Sequence, residues 1–195
     1  MNLLQTMADE NYKTLKSSSS SEYVVQRSRF FGYAISANTV EESQIFIKNI
    51  SEKHPEANHC CWAYKTEFPD NPQQHYNDAG EPSGTAGRPI ADAISQADLK
   101  NVVVVICRVF GGVKLGIRGL INAYHQSAKT TLENAEIIVC QPMILKDFNL
   151  SYPLFEKLKH KVEAIGGKIE NSEFSDSVKC TVNIPRSKTE ELDSF

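Results

Sequence analysis

The sequence predicts an α+β protein of two domains, and three observations carry that prediction. Asn101 to Arg108, NVVVVICR, is a continuous apolar run of the kind that fills a central strand buried on both faces. It empties through VFGGVKLGIRGL into a long helical pattern. Beyond residue 139 the periodicity is strand, helix, strand, strand, helix, a ferredoxin-like split βαβ without its last strand. With 41% hydrophobic and 23% charged residues over 195 positions, there is enough apolar material for one large core or two small ones.

Taken in order, residues 1–20 end in a serine run and carry no periodic apolar face, so they are expected to be a disordered tail, with Met7 a second candidate start. The first domain is expected over 21–138. EYVVQRSRFFGYAIS, rich in aromatic and β-branched residues, predicts one long strand or two shorter ones. Thr39 to Glu42 has the spacing of a capping box, and Phe46, Ile47 and Ile50 share a helix face that ends at Pro55. HCCWAYKT returns to strand. A long loop over 67–87 leads to Pro89, which suits the first turn of a helix carrying Ile90, Ile94 and Ala97. After the central strand, Leu120, Ile121, Tyr124, Ala128 and Leu132 mark the inner side of the long helix. The second domain is expected over 139–195. PMILKDFNLSY predicts a strand, and Pro153 opens a helix with Leu154, Phe155, Leu158, Val162 and Ile165 inward. KIENSEF and SVKCTVNI predict a hairpin turning at Ser175-Asp176, followed by a polar helix start.

No run approaches the roughly 18–20 apolar residues of a membrane span, and the N-terminus lacks the pattern of a secretory signal. No membrane association is therefore expected. Five cysteines without C-x-x-C spacing predict free thiols and a cytoplasmic location. The net charge of −3 argues against a generally basic nucleic-acid binder. Between Gly84 and Thr130, however, six basic side chains (Arg88, Lys100, Arg108, Lys114, Arg118, Lys129) face only two acids, Asp92 and Asp98.

Positive charge thus collects around two glycine-rich loops. In the second, Gly111, Gly112, Gly116 and Gly119 lie between a buried strand and a helix. Unobstructed N–H groups at a helix start, with Lys114 and Arg118 in the same turn, make an anion site. The same glycines serve equally well if Gly116, Gly119 and Ala123 only let the helix lie close on its sheet. In the first loop, Ser83, Gly84, Thr85 and Gly87 lead into a helix start beside Arg88, with the same logic. Neither loop is a Walker sequence or a G-x-G-x-x-G fingerprint, and no cofactor or metal is expected. Asp78, Glu81 and His59 offer a second reading, acid/base groups of a hydrolase or phosphate-ester enzyme, although loop carboxylates are more often caps. His59 beside Cys60 and Cys61 also has the composition of a Cys/His nucleophile pair, with His59 and Cys61 on one strand face and Cys60 on the other.

These residues form a pattern. Arg27-Ser-Arg-Phe30, Ala57-x-His59-x-Cys61, Asp78-x-Gly-Glu-Pro-Ser-Gly-Thr-Ala-Gly87 and Phe110-Gly-Gly-Val-Lys-Leu-Gly116-x-x-Gly119-Leu-x-x-Ala123-Tyr124 occur in this order over roughly 100 residues, and the chain resembles the YigZ/IMPACT family. The resemblance implies a two-layer α/β first domain similar to a ribosomal protein and to domain IV of elongation factor G, with a ferredoxin-like domain after it. It also implies RNA or ribosome association and regulation of translation, without an established reaction. Ala79 stands where the family commonly has a second Asp, and Ile117-Arg118 where Thr-Gly is common. On this reading Ser83, Gly84, Thr85, Gly87, Arg88, Arg108, Gly111, Gly112, Lys114, Gly116 and Arg118 contact phosphates. The C-terminal sheet is a further candidate surface for a protein partner.

Overall fold

The computed structural model describes residues 11–193 and Phe195. They divide into two compact units, Tyr12–Val139 and Cys140–Phe195.

The first unit is built on β6 (Val102–Val109), the apolar run identified above. It is the middle strand of a five-stranded antiparallel sheet in the order β2 (Ser19–Val25), β3 (Ser28–Ser36), β6, β4 (His59–Thr66), β5 (Gln73–Asn77). Strand alternation sends Val102, Val104 and Ile106 into one core and Val103, Val105 and Cys107 into another. Two helices, α2 (Gly87–Gln96) and α3 (Gly116–Glu133), complete the first core. Helix α1 (Val40–Lys53) lies on the opposite face through Phe46, Ile47 and Ile50. Its N-terminus carries the expected cap, with the Glu42 N–H donating to Thr39 Oγ1 at 3.1 Å. The Glu42 carboxylate reaches back to the Asn38 N–H, one residue before the usual capping-box partner.

Several expectations are corrected, and one alternative is decided: over 22–36 the chain forms two shorter strands rather than one long one, a hairpin turning at Gln26 and Arg27, both with positive φ. That is the geometry of a two-residue hairpin turn, but neither residue type announces it. The disordered tail does not extend to residue 20. Tyr12–Leu15 forms β1, paired with β7 (Ile137–Cys140), and the serine run enters β2. Leu15 is buried in the main core. Ser19 donates to the Thr131 carbonyl at 2.8 Å, and Ser21 bonds the Thr131 hydroxyl at 2.7 Å. Small hydroxyls suit this edge strand because α3 passes close over it. Residues 1–10 of the expected tail lie outside the described residues.

The close approach of α3 is made by the sheet, not by the helix glycines. A Cβ on Gly32 would sit 2.0 Å from Thr131 Oγ1, whereas one on Gly116 would meet nothing within 4 Å and one on Gly119 only Leu115 of its own helix. The free-thiol expectation is corrected as well. Cys60 and Cys107 face each other across β4 and β6 and form a disulfide, leaving Cys61, Cys140 and Cys180 free.

In the second unit, β8 (Met143–Leu150), α4 (Tyr152–Ala164), β9 (Lys168–Phe174) and β10 (Val178–Pro185) form an antiparallel sheet ordered β8-β10-β9 with the helix on one face. This is the split βαβ order. Phe155, Leu158 and Val162 of α4 pack on Val178, Cys180, Val182 and Ile184. The polar segment after β10 is a 3-10 helix, Arg186–Leu192, which buries Leu192. Among the described residues no helix is long and apolar enough to cross a membrane.

Candidate functional site

The two glycine loops end in helix N-termini with opposite fates. At α2 the position an anion would take is filled from within the chain. Asp78 Oδ1 accepts from the Ala86 and Gly87 N–H groups at 2.9 and 2.8 Å, and Oδ2 accepts from Gly84 at 2.8 Å. Desolvation pushes the Asp78 carboxyl up, but the three N–H donors from Gly84, Gly87 and Ala86 outweigh it and hold the pKa below the ordinary aspartate value. Gly87 is further fixed by close packing on the Asn77 backbone, and the Thr85 hydroxyl is buried on the Pro82 carbonyl at 2.6 Å. The first loop therefore presents to solvent only Ser83 and Arg88 of its predicted phosphate contacts, with Gly84 partly covered.

Helix α3 is open. No side chain caps its start, no acid lies in its first turn, and Gly116, Ile117 and Arg118 are exposed. Among the described residues no carboxylate accepts from its orphan N–H groups, at the positive end of the helix dipole. Lys114 and Arg118 flank this end, are exposed, and have no ion-pair partner among the described residues. Gly112 at φ +84° and Gly116 at φ +69° allow the chain to turn from β6 into the helix. Gly111 has a different reason for being glycine. A Cβ there would lie 2.0 Å from the Arg27 backbone, and its N–H is directed to Ser28 Oγ at 3.3 Å. Gly111 thus supports the loop without offering a free donor.

Arg108 is corrected from a surface phosphate contact to a buried ion pair. Its side chain is 7% exposed, and Nη1 donates to Glu81 Oε1 at 2.6 Å. The guanidinium lies over the rings of Phe30 and Phe110, with its central carbon 5.6 and 5.4 Å from the ring centres. Tyr124 donates to the same Glu81 oxygen at 2.8 Å. Burial raises the Tyr124 pKa, as do Cys61 and Glu81 beside it, so the phenol remains a donor at neutral pH.

The proposed acid/base trio is not assembled. Asp78 is spent on backbone N–H groups, and Glu81 is paired with Arg108 and Tyr124. His59 Nδ1 donates to the Ala79 carbonyl at 2.9 Å, because a carbonyl can only accept. Nor is Cys61 an activated nucleophile. Burial, countered only in part by Tyr124, pushes its thiol up to about 12, and the thiol donates to the Asp78 carbonyl. Among the described residues no group of three or more His, Cys, Asp or Glu side chains is placed to hold a metal ion.

Between β4, β6 and the start of α3 lies a cavity of about 410 Å³. His59, Glu81, Arg108 and Lys114 line it together with Phe110 and Ile117. Sequence reasoning singled out the charged residues but placed them on a surface. It missed Asn58, which also lines the cavity, and quoted Pro82 within the Asp78–Gly87 motif without assigning it a place in the site. A second hollow, on the C-terminal sheet, is lined by Asp147, Glu173 and Lys179 among polar and apolar neighbours. Its two acids against one base make it a poor phosphate surface.

Two family models match the chain, the Impact N-terminal domain over residues 26–132 and a domain of unknown function, DUF1949, over residues 148–195. The IMPACT family member YvyE of Bacillus subtilis (strain 168) is 31% identical over 179 residues, covering 92% of this chain and 82% of the relative. The IMPACT family member YigZ of Escherichia coli (strain K12) is 28% identical over 169 residues, covering 86% and 83%. A crystal structure described only as that of a hypothetical protein superposes with a TM-score of 0.75 at 26% identity, over 95% of this chain and 90% of the other. The chain belongs to the IMPACT family.

Proposed function

We infer that this protein regulates translation as an RNA- or ribosome-associated factor, holding backbone phosphates at the loop that opens α3. The observation that carries this reading is the contrast between the two helix starts. One is closed by Asp78, and the other stands uncapped between Lys114 and Arg118, two cations without an ion-pair partner among the described residues. Phosphate contacts of this kind give affinity and orientation without reading sequence. The exposed rings and aliphatic chains of Phe110, Val113 and Ile117 line the same loop and suit unstacked bases better than a duplex groove.

The test is the salt dependence of binding to a single-stranded RNA oligonucleotide. If Lys114 and Arg118 each neutralise one phosphate, replacing both with alanine lowers the slope of log K against log salt by about 1.4. Both side chains are exposed, so the fold should be retained. An unchanged slope in the folded double variant removes this loop from the RNA contact.

A further inference from the structure

The cavity beside α3 has features that backbone-phosphate binding does not use. Arg108 forms part of its lining with more than nine-tenths of the side chain buried, yet its Nε–H has no acceptor among the described residues. Its Nη2 makes only a long contact, 3.4 Å, with Ser28 Oγ. The hydrogen bonds from Arg108 and Tyr124 to Glu81 both land on Oε1, which keeps Oε2 available as an acceptor among the described residues. His59 is anchored through Nδ1, and a Cβ on Gly80 would touch that same Nδ1–Cε1 edge of the ring. Nε2 is thereby left as an acceptor in the neutral imidazole. The cavity thus has an accepting region, His59 Nε2 and Glu81 Oε2. Its donating region is Lys114 with the Gly116 and Ile117 N–H groups of the uncapped helix. Phe110, 44% exposed, gives it an aromatic wall.

From this arrangement we propose that the cavity binds one nucleoside monophosphate, either free or as the phosphorylated end of an RNA strand. The phosphate takes the donating region, where Lys114 and the helix start supply charge and N–H groups. The ribose hydroxyls donate to His59 Nε2 and Glu81 Oε2. The base lies on Phe110, whose other neighbour is the Arg108 guanidinium. A bare inorganic phosphate would leave both acceptors and the aromatic wall unused. A nucleoside without its phosphate would leave Lys114 and the helix end unused. At about 410 Å³ the space is near the lower end of the roughly 300–1,000 Å³ of small-molecule pockets, suited to one nucleotide and too small for a helix. The proposal uses the same loop as the RNA-binding reading, but it requires recognition of a single terminal group.

The probes are AMP, adenosine, inorganic phosphate, and one RNA trinucleotide with and without a 5′-phosphate, titrated against the full chain and followed by backbone amide shifts and calorimetry. The expected result is saturable AMP binding, at least about tenfold tighter than adenosine or inorganic phosphate, with the largest shifts at Gly116 and Ile117. Phe110→Ala and Lys114→Ala should each weaken AMP by about tenfold, within the range for losing one base–aromatic stack or one charge-assisted contact. Tighter binding of the phosphorylated trinucleotide than of its hydroxyl form identifies the strand end as a source. AMP binding without that preference identifies the free nucleotide. Absence of saturable AMP binding by folded protein overturns the proposal, as does AMP affinity no better than that of inorganic phosphate or unaffected by both substitutions. If AMP fails while the longer RNA keeps its salt-dependent binding, the phosphate-loop reading stands alone. AMP binding without RNA binding gives the reverse.

Discussion

Arg108 Nη1 and Glu81 Oε1 meet at 2.6 Å inside the first unit, each side chain at least nine-tenths buried. The pair links β6 to the loop between β5 and α2, and Tyr124 on α3 ties the helix to the same carboxylate. Three segments far apart in sequence therefore share one oxygen atom. Removing Glu81 leaves a buried guanidinium with only the long 3.4 Å contact to Ser28 Oγ and no counter-charge. Glu81→Ala should lower the unfolding free energy by about 3–5 kcal/mol in urea titrations. Tyr124→Phe, which removes one bond to a charged acceptor, should cost about 1.5–3 kcal/mol. Equal costs for the two variants would show that Arg108 finds another partner.

Asp78 acts as the N-terminal anion of α2, so Asp78→Ala should cost about 1–2 kcal/mol, the upper range of a lost helix cap. Because the folded-state pKa is held below the ordinary aspartate value, this stabilisation is full above that value and is lost as pH falls through the folded one. The wild type should therefore lose more stability than Asp78→Asn when acidified through the carboxylate range. Parallel stability–pH curves for the two proteins would contradict the assignment.

Glycine substitutions should separate crowding from backbone conformation. Gly32→Ala drives a methyl into Thr131 and should cost about 1–3 kcal/mol or more, with the helix displaced. Gly112→Ala meets no atom within 4 Å and should cost only the left-handed backbone penalty of about 1–2 kcal/mol. Thermal unfolding of the two variants, compared with wild type, gives the order.

Leu15→Ala should cost about 2–5 kcal/mol, as for other core leucines. A cost below about 0.5 kcal/mol in chemical denaturation would return residues 12–15 to the status of a tail.

Thiol mapping of native, oxidised protein should recover Cys60 linked to Cys107. Cys140, partly exposed, should alkylate readily, and Cys61 should react only on unfolding, since it is buried and its thiol is pushed up to about 12. Rapid native labelling of Cys61 would show that the β4 core face is open.

Those outcomes bear on features with different origins. The strand at β6, the Thr39 cap of α1, the βαββ order of the second unit and most of the inward faces of α3 and α4 were legible from sequence alone, although Ile121 and Leu154, expected inward, are exposed. Each depends on interactions among neighbours within about a turn of helix or a strand's length, where hydrophobic period, caps and prolines state the outcome locally. The second glycine loop was legible for the same reason, since a helix start with glycines and lysine is a local arrangement.

What only the tertiary structure decided is which charged groups remain available. Asp78 and the α2 start are neighbours in sequence, but whether the carboxylate turns inward depends on loop folding around Gly84. Arg108 looks like a surface base until Glu81, 27 residues earlier, and Tyr124 on α3 bury it. The serine strand takes its place from Thr131, more than 100 residues away, Leu15 from a core gathered from across the first unit, and Cys60 finds Cys107 through strand register. Local pattern fixes the conformation of a segment. Burial, pairing and vacancy are properties of the space between segments, and that space exists only after the sheet and helices have closed on it.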